Sequence, residues 1–252
     1  MLSSRALITY ILLMLPFLSM AKSVVLGAME YPPYYGRGLK NFGPLIEIVV
    51  ESYRHSGYEV EIVFLPFARA IYLSKAGEID GVVGAWYSKE RAESLLYSTP
   101  MIDNQVGFFK RAGEEIAYKD FSDLKRQGYR LGSVNGYMLP AGLLESGITI
   151  YYVSREDQLL KILRGKRVDL VVLDKGAAQY ALKQPRLSGV GNNVEWMDPT
   201  LERNPQHLII SKKTAQAAEK MDAFNRGYKF LIESGAVKKI LSDHGLSPQK
   251  IQ

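Results

Sequence analysis

The sequence predicts an α/β fold of two lobes, each a small, mostly parallel sheet flanked by helices, with two crossing strands as the hinge. Three observations predict it. Short β-branched runs alternate with amphipathic helical runs along most of the chain, the pattern of βα units. A helix–turn–strand design occurs twice, through Gly77-Glu78-Ile79-Asp80-Gly81-Val82-Val83 and through Gly165-Lys166-Arg167-Val168-Asp169-Leu170-Val171-Val172. Each is a polar turn feeding a strand that is apolar on both faces, as a central parallel strand must be. Residues 106–110 and 207–211 read as strands bordering loops, placed to cross between the two repeats. The expected lobes, of about a hundred residues each, are 22–108 with 207–252, and 109–206. A single continuous domain is the alternative.

Taken in order, residues 1–21 read as a cleaved export signal. Arg5 supplies the positive start, an apolar run follows from Ala6 to Leu18, and Ser19-Met20-Ala21 places small residues where a signal peptidase cuts. Pro16 and the shortness of the run argue against a membrane anchor, which needs about 20 apolar residues. Lys22 stands where a lipoprotein would need Cys. The expected address is the periplasm. Residues 23–29 form the first strand, which ends in Glu30-Tyr31-Pro32-Pro33-Tyr34, an extended turn that its prolines enforce. Pro44 opens a helix with Leu45, Ile48, Val49 and Tyr53 on one face. Strands follow at 60–65 and 81–84, with a helix at 68–76 between them. The second half gives strands at 130–134, 148–153 and 170–173, and helices near 120–127, 139–146, 156–164 and 175–184. The tail, 214–243, is helical with a break at Gly235.

Composition narrows the chemistry. With 47% apolar and 23% charged residues and a net charge of +6, the chain is of ordinary globular type. It has no cysteine, which removes disulfides, cysteine-based metal sites and thiol catalysis. Its histidines, His55, His207 and His244, share no ligand spacing, so neither a metal nor another cofactor is expected. No dense basic run marks a nucleic-acid surface.

Ligands of open parallel sheets bind beyond the carboxyl ends of the strands. Those segments carry Tyr31 and Tyr34, Phe67, Trp86, Gly136-Tyr137 and Asp174, an aromatic set suited to walling a small molecule. Phe67 fits a core position as well as a pocket. Ser88 is a natural helix N-cap, which puts Arg91 in a first helical turn, where a cation opposes the helix dipole. Arg91 could hold a carboxylate through two parallel hydrogen bonds, or pair with a neighbouring Glu in solvent. Asp174 could cap the helix it precedes, or face an ammonium group that would offset its burial.

Read together, these segments resemble the periplasmic solute-binding proteins of amino-acid import systems, the bacterial family 3 type. The resemblance runs from Tyr31-Pro32-Pro33-Tyr34 through Leu65-Pro66-Phe67, Gly77-Glu78-Ile79-Asp80-Gly81, Ser88-Lys89-Glu90-Arg91 and Tyr97-Ser98-Thr99-Pro100. It continues through Asp123-Leu124-Lys125, Val168-Asp169, Asp174 and Phe230-Leu231-Ile232-Glu233-Ser234-Gly235 to Ile240. It implies a type II periplasmic binding-protein fold, a monomer that closes two lobes over a small solute for an inner-membrane ABC permease. By the same resemblance Arg91 grips an α-carboxylate, Asp174 takes the α-ammonium, and Tyr31 covers the side chain. The sequence departs from that pattern after Gly136, where Tyr137 and Met138 replace the usual Ser or Thr, and at Trp86, which replaces a small polar residue. Both departures argue against an ordinary small amino acid. Two other functions share the scaffold. One is an enzyme akin to cyclohexadienyl dehydratases, for which Glu30 and Glu90 are the candidate acids. The other is a binder that reports to a membrane receptor.

Overall fold

The computed structural model describes residues 22–246; the predicted export signal, residues 1–21, lies outside them. In chain order the elements are β1 (Lys22–Ala28), α1 (Pro44–His55), β2 (Tyr58–Phe64), α2 (Phe67–Ala76), β3 (Gly81–Ala85), α3 (Lys89–Ala92) and β4 (Leu95–Tyr97). Then come β5 (Ile102–Arg111), α4 (Phe121–Arg126), β6 (Leu131–Val134), β7 (Ile150–Val153), α5 (Glu156–Arg164), β8 (Leu170–Asp174) and α6 (Lys175–Leu182). The chain returns through β9 (Val194–Ser211) and finishes with α7 (Ala217–Glu233) and α8 (Ala236–Asp243).

Each lobe has its own parallel core. In lobe one β1 pairs in parallel with β2 and β3; in lobe two β6 pairs in parallel with β7 and β8. The join between them is antiparallel. β9 runs against β3, β4 and β5, and β5 runs against β8, so the order is β2-β1-β3-β9-β5-β8-β6-β7. The predicted crossings at 106–110 and 207–211 are thus parts of two much longer strands. β9 is 18 residues long, and its two ends serve different lobes.

Burial follows the predicted faces. Leu45, Ile48, Val49 and Tyr53 of α1 are fully buried against β1, β3 and α7 residues such as Leu26, Val83 and Phe224. Strand β8 is apolar on both sides. Val171 and Leu173 join the cluster under α5 and α6, while Leu170 and Val172 join the one around Leu124 and Leu143. Burial on both faces of a strand is what a parallel sheet between helical layers requires.

The repeated turn has one physical job in both lobes. The Asp80 N–H donates to the Val25 carbonyl (2.9 Å), and the Asp80 carboxylate accepts the Val25 N–H (2.8 Å). The Asp169 N–H donates to the Arg130 carbonyl (2.8 Å), and its carboxylate accepts the Arg130 N–H (2.9 Å). Each aspartate therefore clamps the start of its strand to the neighbouring one. A cation completes each clamp, Lys220 on Asp80 (2.6 Å) and Arg111 on Asp169 (3.1 Å). Burial alone would raise the Asp169 carboxyl, but the hydrogen bonds from Arg130 and Arg111 outweigh it and hold it at about 2.

Two expectations need correction. The helix expected at 139–146 is absent, and residues 141–147 form consecutive turns. Gly142 adopts φ of 79°, a left-handed value that a helix interior does not contain. Strand β4 was not expected; its three residues are too few to carry a periodic signal.

Candidate ligand-binding cleft

The chain leaving β1 folds back on itself. The Tyr31 N–H donates to the Tyr35 carbonyl (2.9 Å) and the Tyr34 N–H to the Tyr31 carbonyl (3.0 Å). This gathers three buried tyrosine rings, with Tyr31 5.5 Å from Tyr34 and 5.8 Å from Tyr35 between centroids. The Tyr35 hydroxyl donates to the Gly84 carbonyl (3.2 Å). Gly84 has φ of 81° at an irregularity in β3, and a Cβ there would run into the Tyr35 ring, so glycine alone fits. Beyond this bend the Trp86 indole N–H reaches Asn104 Oδ1 (2.7 Å) on β5.

Arg91 lies where the Ser88 cap predicts. Ser88 Oγ accepts the Arg91 N–H (3.4 Å) at the start of α3. The guanidinium donates from Nη2 to the Trp86 carbonyl (2.8 Å) and from Nε to the Tyr97 hydroxyl (3.3 Å), and sits 5.6 Å from the Phe67 ring centre. The neighbouring Glu90 pairs with Lys75 instead (3.0 Å).

Lobe two supplies the facing wall. After β6, Gly136 takes φ of 81°, and the Tyr137 N–H donates to the Val134 carbonyl (3.1 Å). The Tyr137 hydroxyl donates to Glu156. Burial, followed by the charge of Glu156, pushes the Tyr137 phenol well above its ordinary range, so it stays protonated and keeps its hydrogen bond to Glu156. Between the lobes is a cavity of about 200 Å³. Tyr31, Phe67, Trp86 and Arg91 line it from lobe one, Gly136 and Tyr137 from lobe two, with Met29, Tyr35, Gly84 and Met138 completing the walls. Phe67 also packs against the cluster around Ala70 and Ile79, so it serves pocket and core together. Among the described residues, Arg91 is the one charged side chain on these walls.

Asp174, by contrast, is not on the cavity wall. It ends β8 and caps α6, accepting the Ala177 N–H (2.7 Å). Its Oδ1 also accepts the Tyr34 hydroxyl (2.8 Å) and its Oδ2 the Asn104 amide (3.0 Å). Only 3% of the residue is exposed. Burial pushes its carboxyl up to about 6, against the opposing pull of these hydrogen bonds. The capping alternative thus describes part of what Asp174 does, and a hydrogen-bonded chain, Trp86–Asn104–Asp174–Tyr34, describes the rest.

Asn104 escaped sequence reasoning. Its signal was present: Ile102, Asn104, Val106 and Phe108 alternate along β5 and are all buried. A lone amide on an apolar face must find buried partners.

Comparison with known proteins agrees with this architecture. Similar solved structures include a histidine kinase sensor domain with similarity to periplasmic binding proteins (TM-score 0.72, 19% identity, covering 90% of this chain and 98% of that one). Another is the GluR0 ligand-binding core from Nostoc punctiforme in complex with L-glutamate (0.69, 18%, 87% and 98%). A third is the substrate binding protein of an amino acid ABC transporter (0.66, 20%, 88% and 98%). At these identities the likeness shows the fold, two lobes of the periplasmic binding-protein kind. No curated protein matches the chain in sequence. One family model matches residues 24–246, nearly everything the structure describes. The chain belongs to the bacterial extracellular solute-binding proteins, family 3.

Proposed function

We propose that this is a periplasmic binding protein that captures a small carboxylate-bearing solute, an amino acid or a related compound, between its lobes for an inner-membrane ABC permease. The observation that carries the reading is the cavity between the lobes, walled by aromatic rings and holding a single charged group, the Arg91 guanidinium. In this reading Tyr31, Phe67, Trp86, Arg91, Gly136 and Tyr137 surround the solute, and Asp174 supports the wall from behind. The lobes comprise residues 22–108 with 207–252, and 109–206, and the protein acts as a monomer exported by its first 21 residues. Binding without turnover is supported by the two acids that catalysis would need. Glu30 pairs with Arg37 and Glu90 with Lys75; both side chains are at least half exposed, and neither lines the cavity.

A thermal-shift screen of amino acids, organic acids and polyamines tests the reading. A true ligand at a hundred times its dissociation constant should stabilise the protein by roughly 2.7 kcal/mol. A screen in which no carboxylate raises the melting temperature would remove it.

A further inference from the structure

The charges around the cleft are not balanced as a zwitterion would require. Arg91 can meet a carboxylate from the cavity wall. The two carboxylates bonded to groups behind the walls are both off the cavity lining and engaged: Glu156 accepts the Tyr137 hydroxyl, and the Asp174 oxygens accept Tyr34, Ala177 and Asn104. None of these donors is easily displaced. The Ala177 N–H belongs to the first turn of α6 and has no intrahelical acceptor. Asn104 is fully buried, and its orientation is fixed from the other side. An indole N–H can only donate, so Oδ1 must face Trp86, which leaves Nδ2 facing Asp174. The Tyr34 ring is 3% exposed and its hydroxyl lies against Gly176, where a Cβ would collide with it. An ammonium group would have to break through the packed wall to reach Asp174, which is 3% exposed, lies off the cavity wall, and already has three of its roughly four acceptor sites filled. If it stayed in the cavity, it would face aromatic rings and two thioethers, with no anion among the described residues of the cavity walls.

From this arrangement, and resting on the proposed function of the cleft, we infer that its solute is a carboxylate without an α-ammonium group, carrying a compact apolar or aromatic body. Arg91 provides the anchor. Tyr31, Tyr35, Trp86 and Tyr137 provide flat walls, and Met29 and Met138 supply adaptable thioether surface. The cavity, about 200 Å³, lies below the roughly 300–1,000 Å³ of drug-sized ligand sites. That limits the body to about one ring or a short branched chain.

Matched pairs test the inference by isothermal titration calorimetry on the purified protein: 3-phenylpropionate against L-phenylalanine, and 4-methylpentanoate against L-leucine. Each pair differs by the α-ammonium alone. The acid of at least one pair should bind at least tenfold more tightly than its amino counterpart. An amino acid that binds as well as its partner acid, or better, would overturn the inference and leave the binding function standing. If neither member of either pair binds while a solute without a carboxylate does, the inference fails together with Arg91 as anchor. If no solute of any class binds, the failure lies with the proposed function itself.

Discussion

Arg91 has donors to spare where a ligand could use them. A guanidinium carries five N–H bonds; here Nε faces Tyr97 and one Nη2 hydrogen faces the Trp86 carbonyl. The other Nη2 hydrogen and the Nη1 pair form the end of the fork, a geometry suited to two parallel bonds with a carboxylate. Arg91→Ala should therefore weaken binding of a carboxylate ligand by roughly 2–5 kcal/mol, the usual loss when one side of a buried charge pair is removed. The fold should be little affected, because Arg91 is only half-buried and beyond its own helix makes two hydrogen bonds and one contact with the Phe67 ring. Calorimetry showing equal affinity for variant and wild type would dismiss Arg91 as the anchor. Residue positions at strand ends were legible before the structure, because the parallel-sheet rule says where to look; of the eight residues singled out there, six line one cavity, and the other two, Tyr34 and Asp174, are bonded to each other behind it. What lay outside that rule was the contact between distant segments. Asn104 reaches Asp174 across 70 residues of sequence, and no local pattern encodes such a pairing.

At the scale of elements, the junction of β8 and α6 carries an unusual charge. The helix needs its first N–H groups capped, which an aspartate does well, but here the cap is almost wholly buried. Burial raises the Asp174 carboxyl from its ordinary 3.8 to about 6, so the folded protein holds this proton more tightly than the unfolded chain does. The resulting stabilisation is fully present below the unfolded value and disappears as pH rises through about 6. Asp174→Asn preserves a capping oxygen and removes the titration. Between pH 7 and pH 4, wild type should gain roughly 2–3 kcal/mol of unfolding free energy relative to this variant. The difference between the two proteins is the quantity to follow in urea melts. Carboxyls held low, such as Asp169 at about 2, push overall stability the opposite way as acid is added. A difference that stays constant with pH would mean the carboxyl is not buried as a charge. Elements with a strong period were legible in advance: α1 from its buried stripe, and α7 and α8 from the break at Gly235. The segment at 139–146 was misread because its apolar residues mimic a helical face, while Gly142 in its middle takes a left-handed turn. The full span of β9 was hidden too, since a strand that changes lobe midway changes its pattern of burial with it.

For the whole molecule, the question is what holds the lobes together. Covalently they share β5 and β9. Across the base of the cleft they share the Tyr34–Asp174 hydrogen bond, which joins the segment after β1 to the end of β8. Solute binding in such a scaffold is a population shift between open and closed arrangements, and any contact made in only one of them biases the balance. A hydrogen bond to a charged group is worth about 1.5–3 kcal/mol, enough to move an open-to-closed ratio by roughly 10- to 150-fold. Tyr34→Phe deletes this bond while keeping the ring that stacks on Tyr31. The unliganded variant should therefore show a larger radius of gyration than wild type by small-angle X-ray scattering. Saturating ligand should contract it, with an affinity weakened in proportion to the shift. Equal radii for the two unliganded proteins would put the bond too near the hinge to respond to closure, and the bias toward the closed form would then have to come from the ligand bridging Arg91 and the Gly136–Tyr137 wall.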